Sequence, residues 1–454
     1  MLIIRATYIL LIALLLYSCG GEVKPVPTGD NATSCTYDAT LIAPDSINAM
    51  QKSYKCFNQA VYNVMKIYYL WNNYVKSVDY TQYKDGEALL NELIYTENDR
   101  YTFLIDASVV DQVFGEGQST DMGYRLKLDN ENRVRVSYVL PNSPAANAGI
   151  KRGALVNKIN GQDIDKLLRN NDIGNVMSLS SYTMDIVQND TARSPSLIAK
   201  KYDVNNVIYK NIYQKYGKKI GHFVFYSFVG KASEHVKEVF DYFKSNNVDE
   251  VILDLRYNTG GYITVANELA TYIGGSKVKD QIFVKQSFNA DINAEFAQSG
   301  ENLDEKFTTL TGLALSRVII LTTDETASAS ELVINGLKPF MSVVQIGGVT
   351  YGKPVGSIEF TYEDKSIFPI IVELFNSKSE GKYYFGIKPN HFAYDDVEHD
   401  FGDTNEVCLQ SALYYIKTGN HLKSNMRAEA PVLQPNHPLL RSFIPKISIL
   451  NRRL

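Results

Sequence analysis

The chain is poor in the residues that most often announce a metal or redox site. It has only four cysteines and six histidines in 454 residues, and these are too scattered to show the spacing of a ligand set, so no metal site is expected. It also lacks an excess of charge. Its 46 Lys and Arg against 50 Asp and Glu leave a formal net charge of −4 with the basic residues dispersed, which argues against nucleic acid as a partner. The apolar run nearest the start, Ala6 to Leu16, falls short of the roughly 20 residues a membrane-spanning helix needs. What is present is a core: 45% hydrophobic and 11% aromatic residues exclude a disordered chain, and the length suffices for two or three domains.

The short apolar run follows Arg5 and ends in Leu16-Tyr17-Ser18-Cys19-Gly20. A small residue before a cysteine at the end of such a run resembles a bacterial lipoprotein signal, with residues 1–18 as signal peptide and Cys19 as the lipid-bearing residue. Ordinary secretory cleavage or an uncleaved anchor are the alternatives. All three place the mature chain outside the cytoplasm, and the lipoprotein reading makes it a membrane-anchored protein of the cell envelope, periplasmic or outer-membrane facing. Residues 19–40, rich in Pro, Gly, Thr and Asn, read as a tether. Without Cys19 three cysteines remain, Cys35, Cys56 and Cys408, so at most one disulfide forms within the chain, and no spacing selects the pair.

Ser328 and Lys353 carry the chemistry. Arg317 to Thr323 is a short apolar, β-branched run that predicts a buried strand, and Ala329 to Leu337 has helical spacing, so Ser328 falls at a strand-to-helix corner. There the Ala329 N–H is free to meet an oxygen that the serine attacks. Val343 to Ile346 predicts the next strand, and Gly347, Gly348 and Gly352 allow a tight turn before Lys353. A serine hydroxyl needs a base, and lysine can be that base only where burial keeps it neutral. Singly, Ser328 reads as a helix cap and Lys353 as a loop lysine; together they compose a nucleophile and base. Upstream, the predicted strand Glu250 to Arg256 runs into Tyr257-Asn258-Thr259-Gly260-Gly261, a turn whose N–H groups can bind an oxygen.

Asp254-Leu255-Arg256-Tyr257-Asn258-Thr259-Gly260-Gly261, then Ser328-Ala329-Ser330-Glu331, then Gly352-Lys353 resemble, in order and spacing, the C-terminal processing (tail-specific) serine peptidases. The resemblance implies Ser328 as nucleophile, Lys353 as general base, and an oxyanion held by Ala329 and one of Gly260 and Gly261. It implies no cofactor. Members of that family often carry a glutamine four residues after the lysine to orient it; here Ser357 stands there as the candidate orienting residue, a departure from the pattern.

Pro141 to Gly161, with Ser143-Pro144-Ala145 and Ala148-Gly149-Ile150, resembles a PDZ domain, a module that adds an extended chain end to a sheet edge. Met122-Gly123-Tyr124 falls where such domains place the loop that binds a terminal carboxylate; gating of the peptidase without peptide binding is the alternative. The implied fold class is α/β: a crotonase-like ββα superhelical protease core preceded by a PDZ domain and an N-terminal helical segment. Helical spacing runs from Ile47 to Val78 and again from Gly86 to Tyr95. The expected boundaries are 41–107 for the helical segment, to which no catalytic role is given, 108–205 for the PDZ domain, 206–420 for the peptidase and 421–454 for an irregular tail. A histidine base, with His399 beside Asp395-Asp396, is the less favoured catalytic option. The expected function is an exported serine endopeptidase acting on proteins or peptides with a free C-terminus, cutting near that end. The contrasting expectation is a catalytically inactive peptide- or ligand-binding lipoprotein on the same fold.

Overall fold

A computed structural model describes residues 47–300 and 302–422. The signal peptide, Cys19, the tether, Cys35 and nearly all of the expected C-terminal tail lie outside the described residues. Among those described, no helix is long and apolar enough to cross a membrane.

The first helix, Ile47–Ile67, stops earlier than its apolar spacing suggests. The backbone leaves the helix because Leu70 donates to the Ile370 carbonyl (2.8 Å) and the Asn72 amide turns back onto the Lys66 carbonyl (3.4 Å), leaving only a single 3-10 turn at Asn72–Tyr74. The next helix, Gly86–Leu93, is capped by Asp85, whose carboxylate accepts the Ala88 N–H at 2.7 Å. Val61, Met65 and Tyr69 pack on Leu89, Leu90 and Leu93, and the same cluster takes in Val355, Ile367 and Ile370 from far along the chain. Strand Phe103–Asp106 then pairs antiparallel with Lys365–Phe368, so the helical segment is joined to the peptidase region by backbone hydrogen bonds as well as by its core.

The PDZ-like region is an antiparallel sheet in the order Tyr124–Leu128, Val134–Val139, Leu155–Ile159, Ser181–Gln188, Thr191–Arg193. Alternating residues of these strands, with Ile150, Ile164 and Leu167, form its own core. The short helix Pro144–Asn147 starts at Ser143, whose hydroxyl accepts the Ala146 N–H at 3.2 Å. Tyr124–Leu128 is a terminal strand of this sheet.

The peptidase region is built on a six-stranded sheet. Its order is Val207–Lys215, Lys218–Phe225, Glu250–Asp254, Arg317–Thr322, Ser342–Gly347, His391–Phe392; the first two form an antiparallel hairpin and the rest are parallel. A hairpin followed by helix Ala232–Ser245 is a ββα unit, and helices Ile263–Gly274 and Ala329–Leu337 make the next crossovers. Parallel strands need cover on both faces. One face is covered by these helices through Val236, Phe240, Leu269 and Val333, and the other by helix Val407–Thr418 through Leu409, Ala412 and Leu413. The fold is the α/β peptidase core, with a PDZ module and a helical segment before it, that the sequence motifs imply. Its consequence for function lies at the carboxyl ends of three adjacent parallel strands. There Asp254, Thr322 and Gly347 deliver the Gly260-Gly261 turn, Ser328 and Lys353 to one edge of the sheet.

Candidate active site

Ser328 precedes the first residue of helix Ala329–Leu337 with φ 55° and ψ −115°, a conformation that a residue with a side chain adopts only at a cost of about 1–3 kcal/mol. Its surroundings enforce it. The Ala327 N–H donates to the Asn258 carbonyl (3.1 Å), and the Ser330 hydroxyl donates to the same carbonyl (3.0 Å). The Asn258 amide is itself anchored on the Phe225 carbonyl (2.9 Å), so the Ser328 corner and the glycine turn are tied together through Asn258.

Gly260 and Gly261 have φ +103° and +142°, and a Cβ on Gly260 would sit 2.8 Å from the Ser328 Cβ and 3.0 Å from the Ala329 nitrogen. The two glycines differ in what their N–H groups do. Gly260 donates to the Asn258 Oδ1 at 2.9 Å, whereas the N–H groups of Gly261 and Ala329 have no acceptor among the described residues. Beside this turn a cleft opens between Phe114, Tyr138, Leu140, Tyr226, Val229 and Gly260, apolar for most of its wall.

Glu331, fully buried on the first turn of the same helix, connects the serine to the lysine. Its Oε2 accepts the Ser328 N–H (2.9 Å) and the Lys353 N–H (2.8 Å), so both backbones share one acceptor atom. Its Oε1 accepts the Gly352 N–H (2.8 Å) and the Thr350 hydroxyl (2.5 Å). Burial raises the Glu331 carboxyl above its ordinary range, and the four donors pull it back in part. Lys353 is 9% exposed, and among the described residues its amine has no ion-pair partner. Burial lowers its pKa to about 8, against the opposing pull of Asp99 and Glu331. Its Nζ lies 5.7 Å from the centroid of the Tyr101 ring.

The other sequence-derived candidates fall as follows. Ser357 sits in strand Val355–Ser357, paired with Ile370, and makes no hydrogen bond to Lys353 among the described residues. Met122 and Tyr124 are buried; the Met122 carbonyl accepts the Ala145 N–H (2.9 Å) and the Gly123 carbonyl accepts the Leu140 N–H (2.7 Å). His399 binds Asp396 through its ring (2.7 Å) and gives its carbonyl to Arg152 (2.9 Å), without reaching Ser328 among the described residues. Cys56 is disulfide-bonded, and Cys408 is a free, buried thiol.

A buried ionic network underlies the glycine turn. Arg256 is fully buried and donates to Asp254 (2.6 Å), Glu406 (2.7 Å) and Asp395 (3.0 Å). Asp395 also receives Lys127 (3.0 Å) and Arg152 (3.0 Å) from the PDZ module and the Tyr257 hydroxyl (2.7 Å). Burial would raise the Asp395 carboxyl, but Lys127, Arg152 and Arg256 outweigh it and hold it well below the ordinary carboxylate range. The PDZ edge strand makes a second contact, Arg125 to Glu325 at 3.2 Å, three residues before Ser328. Glu331 belongs to the Ser328-Ala329-Ser330-Glu331 motif without a role that the motif itself assigns, although an acid at the third position of a helix that begins at a serine is a capping-box signal. The partners of Asp395 left no local signal, because Lys127, Arg152 and Arg256 lie far from it in the chain.

The architecture and this site define the class: a PDZ-bearing serine peptidase core. The family model for peptidase family S41 matches residues 219–391, that for the S41 N-terminal domain residues 57–103, and that for the PDZ domain residues 112–178. Residues 219–391 and 57–103 thus match the peptidase and N-terminal domains of family S41. The chain is 24% identical over 304 residues to the carboxy-terminal processing protease CtpB of Bacillus subtilis, covering 65% of this chain and 60% of that protein. A CtpA-like serine protease of Staphylococcus aureus is 24% identical over 361 residues, 78% of this chain and 68% of that one. Among solved structures, an S41-assigned protein from Bacteroides fragilis superposes with a TM-score of 0.66 at 26% identity, covering 79% of this chain and 97% of that chain.

Proposed function

We propose that the protein is an exported serine endopeptidase that cuts polypeptides near their C-termini through a Ser328–Lys353 dyad. The observation that carries this reading is the single Glu331 oxygen that takes the N–H groups of both Ser328 and Lys353, beside a lysine whose buried amine has no ion-pair partner among the described residues. In the reaction Ser328 Oγ attacks the scissile carbonyl while the neutral Lys353 amine takes its proton. The N–H groups of Gly261 and Ala329, the second at a helix N-terminus, hold the oxyanion. Lys353 then returns the proton to the leaving amine; in the second half its neutral amine takes a proton from the water that attacks the acyl carbonyl and passes it to Ser328 Oγ as the ester bond breaks. The aromatic cleft beside the turn suits an apolar side chain of the substrate.

The terminal strand Tyr124–Leu128 is the edge to which a substrate's free C-terminal segment would add, with Met122-Gly123-Tyr124 at the carboxylate end. The contacts of Arg125 and Lys127 with Glu325 and Asp395 favour a second role for the module, as a gate on the peptidase. Export, lipidation of Cys19 and residence on a cell-envelope membrane follow from Arg5, the apolar run and Leu16 to Cys19; the disulfide at Cys56 supports an oxidising compartment. Against the reading as an inactive binding lipoprotein stands the strained backbone retained at Ser328.

The test is cleavage of an unfolded protein by the mature chain, Ser328→Ala and Lys353→Ala. Cleavage by the unmodified protein alone is expected; equal cleavage by Ser328→Ala, or none by any, refutes the dyad. Peptides with a free C-terminus should bind better than their amides, and equal binding would leave the PDZ module only its gating role.

A further inference from the structure

The helical segment ends in Asp99-Arg100-Tyr101, and Arg100 and Tyr101 reach the loop that carries Lys353. Arg100 donates through Nη2 to the carbonyls of Tyr351 (2.7 Å) and Tyr384 (3.1 Å), and its guanidinium lies 4.6 Å from the centroid of the Tyr351 ring. It therefore ties together the two residues that bracket the lysine loop, Tyr351 before it and Tyr384 behind it. The buried Tyr101 hydroxyl donates to the carbonyl of Gly352, the residue before Lys353, and its ring faces the Lys353 amine. A Cβ on Gly352 would meet the Tyr384 carbonyl at 2.4 Å, so the loop is closed from behind by the same turn that Arg100 holds.

Asp99 is 3% exposed and is fixed from three sides: its Oδ1 accepts the N–H groups of Tyr101 (2.7 Å) and Thr102 (2.9 Å), and its Oδ2 accepts the Tyr69 hydroxyl (2.7 Å). Tyr69 is itself fully buried in the helical core. The charged and titratable groups around Lys353 are Asp99, Arg100 and Tyr101 from this segment, Glu331 from the nucleophile helix, and Tyr351, Tyr383 and Tyr384 from the lysine loop and the turn behind it. Among the described residues the carboxylates acting on the amine are Asp99 and Glu331, and Glu331 already spends its oxygens on backbone donors and Thr350.

We infer that Asp99-Arg100-Tyr101 is the positioning element for the catalytic lysine: Arg100 and Tyr101 clamp its loop, and the Asp99 carboxylate sets the charge balance of its amine. The helical segment thus supplies part of the catalytic centre, in the place where an orienting glutamine is expected and Ser357 stands. The inference rests on the Ser328–Lys353 reading, and a test must separate the two.

The experiment compares the pH dependence of kcat/KM on an unfolded protein substrate for the unmodified chain, Asp99→Asn, Tyr101→Phe and Lys353→Ala. Removing the Asp99 charge favours the neutral amine, so the rising limb should move to lower pH by about 0.5–1 pH unit. Tyr101→Phe keeps the ring but frees the loop carbonyl, and kcat should fall about tenfold with KM unchanged. The Lys353 13Cε resonance in 13C-lysine-labelled Ser328→Ala protein, with and without Asp99→Asn, gives the same shift without relying on activity. Activity retained by Lys353→Ala would remove the dyad itself. Loss of activity in Lys353→Ala with an unmoved limb and an unmoved resonance in Asp99→Asn would leave the dyad standing and overturn the inference. If Asp99→Asn does not fold, an unchanged kcat in Tyr101→Phe overturns it equally.

Discussion

A lysine that is 9% exposed and has no ion-pair partner among the described residues is a thermodynamic burden at neutral pH, and would be an asset to a general base for the same reason. Its ordinary pKa of 10.5 falls to about 8 in the folded protein. At pH 7 roughly one amine in ten is then neutral, against about one in three thousand for an ordinary lysine, a gain of roughly 300-fold in competent base, equivalent to about 3 kcal/mol. The folded state releases this proton near pH 8 and the unfolded state near 10.5. Between those values the unfolded chain binds more protons, so stability rises with pH there; below pH 8 that stability is missing. Lys353→Met keeps the backbone N–H bonded to Glu331 and removes the buried charge. It should abolish cleavage and raise stability at pH 7 by up to about 3 kcal/mol, an advantage that shrinks as pH approaches 10.5. Thermal melts of the unmodified protein and the variant at pH 7 and pH 10 measure this. In parallel, kcat/KM for the unmodified protein should climb about tenfold per pH unit and level off near pH 8. A variant less stable at pH 7, a stability gap equal at both pH values, or a rate limb near pH 6.5 as for a histidine base would refute the reasoning.

Glu331→Gln with its NH2 on the Oε2 side faces two N–H donors; turned the other way it faces the Gly352 N–H and the Thr350 hydroxyl, which can rotate to accept, so at least one buried bond is lost at a cost of about 1–3 kcal/mol; a native melting temperature would show that Glu331 does not hold the site together. Gly260→Ala drives a methyl group to 2.8 Å from the Ser328 Cβ at φ +103°, and a fall of about 100-fold or more in kcat is expected from the displaced oxyanion turn; unchanged steady-state kinetics would contradict that geometry. Asp395→Asn strips the shared carboxylate from Lys127, Arg152 and Arg256. It should cost about 3–5 kcal/mol, read as a lower urea midpoint, and a midpoint equal to that of the unmodified protein would mean the network is not holding the PDZ module to the core.

Much of the chain was legible from local pattern. Helix Ala329–Leu337 and strands Glu250–Asp254, Arg317–Thr322 and Ser342–Gly347 lie where the apolar runs and glycine turns put them, because a buried strand is a short β-branched run whatever its neighbours. The overestimate of the first helix has the opposite cause. Nothing in residues 68–78 signals that the Leu70 N–H has a better partner in the Ile370 carbonyl, three hundred residues away.

By itself, then, the sequence determined the element types, the three motif segments and their order, since each depends on residues adjacent in the chain. Which glycine N–H lacks an acceptor among the described residues, that one Glu331 oxygen serves both Ser328 and Lys353, and that the Tyr101 ring lies against the Lys353 amine were decided only by the tertiary structure. The physical reason is reach: hydrogen bonds and desolvation act over a few ångströms, and only the parallel stacking of three strand ends brings groups so far apart in sequence within that range.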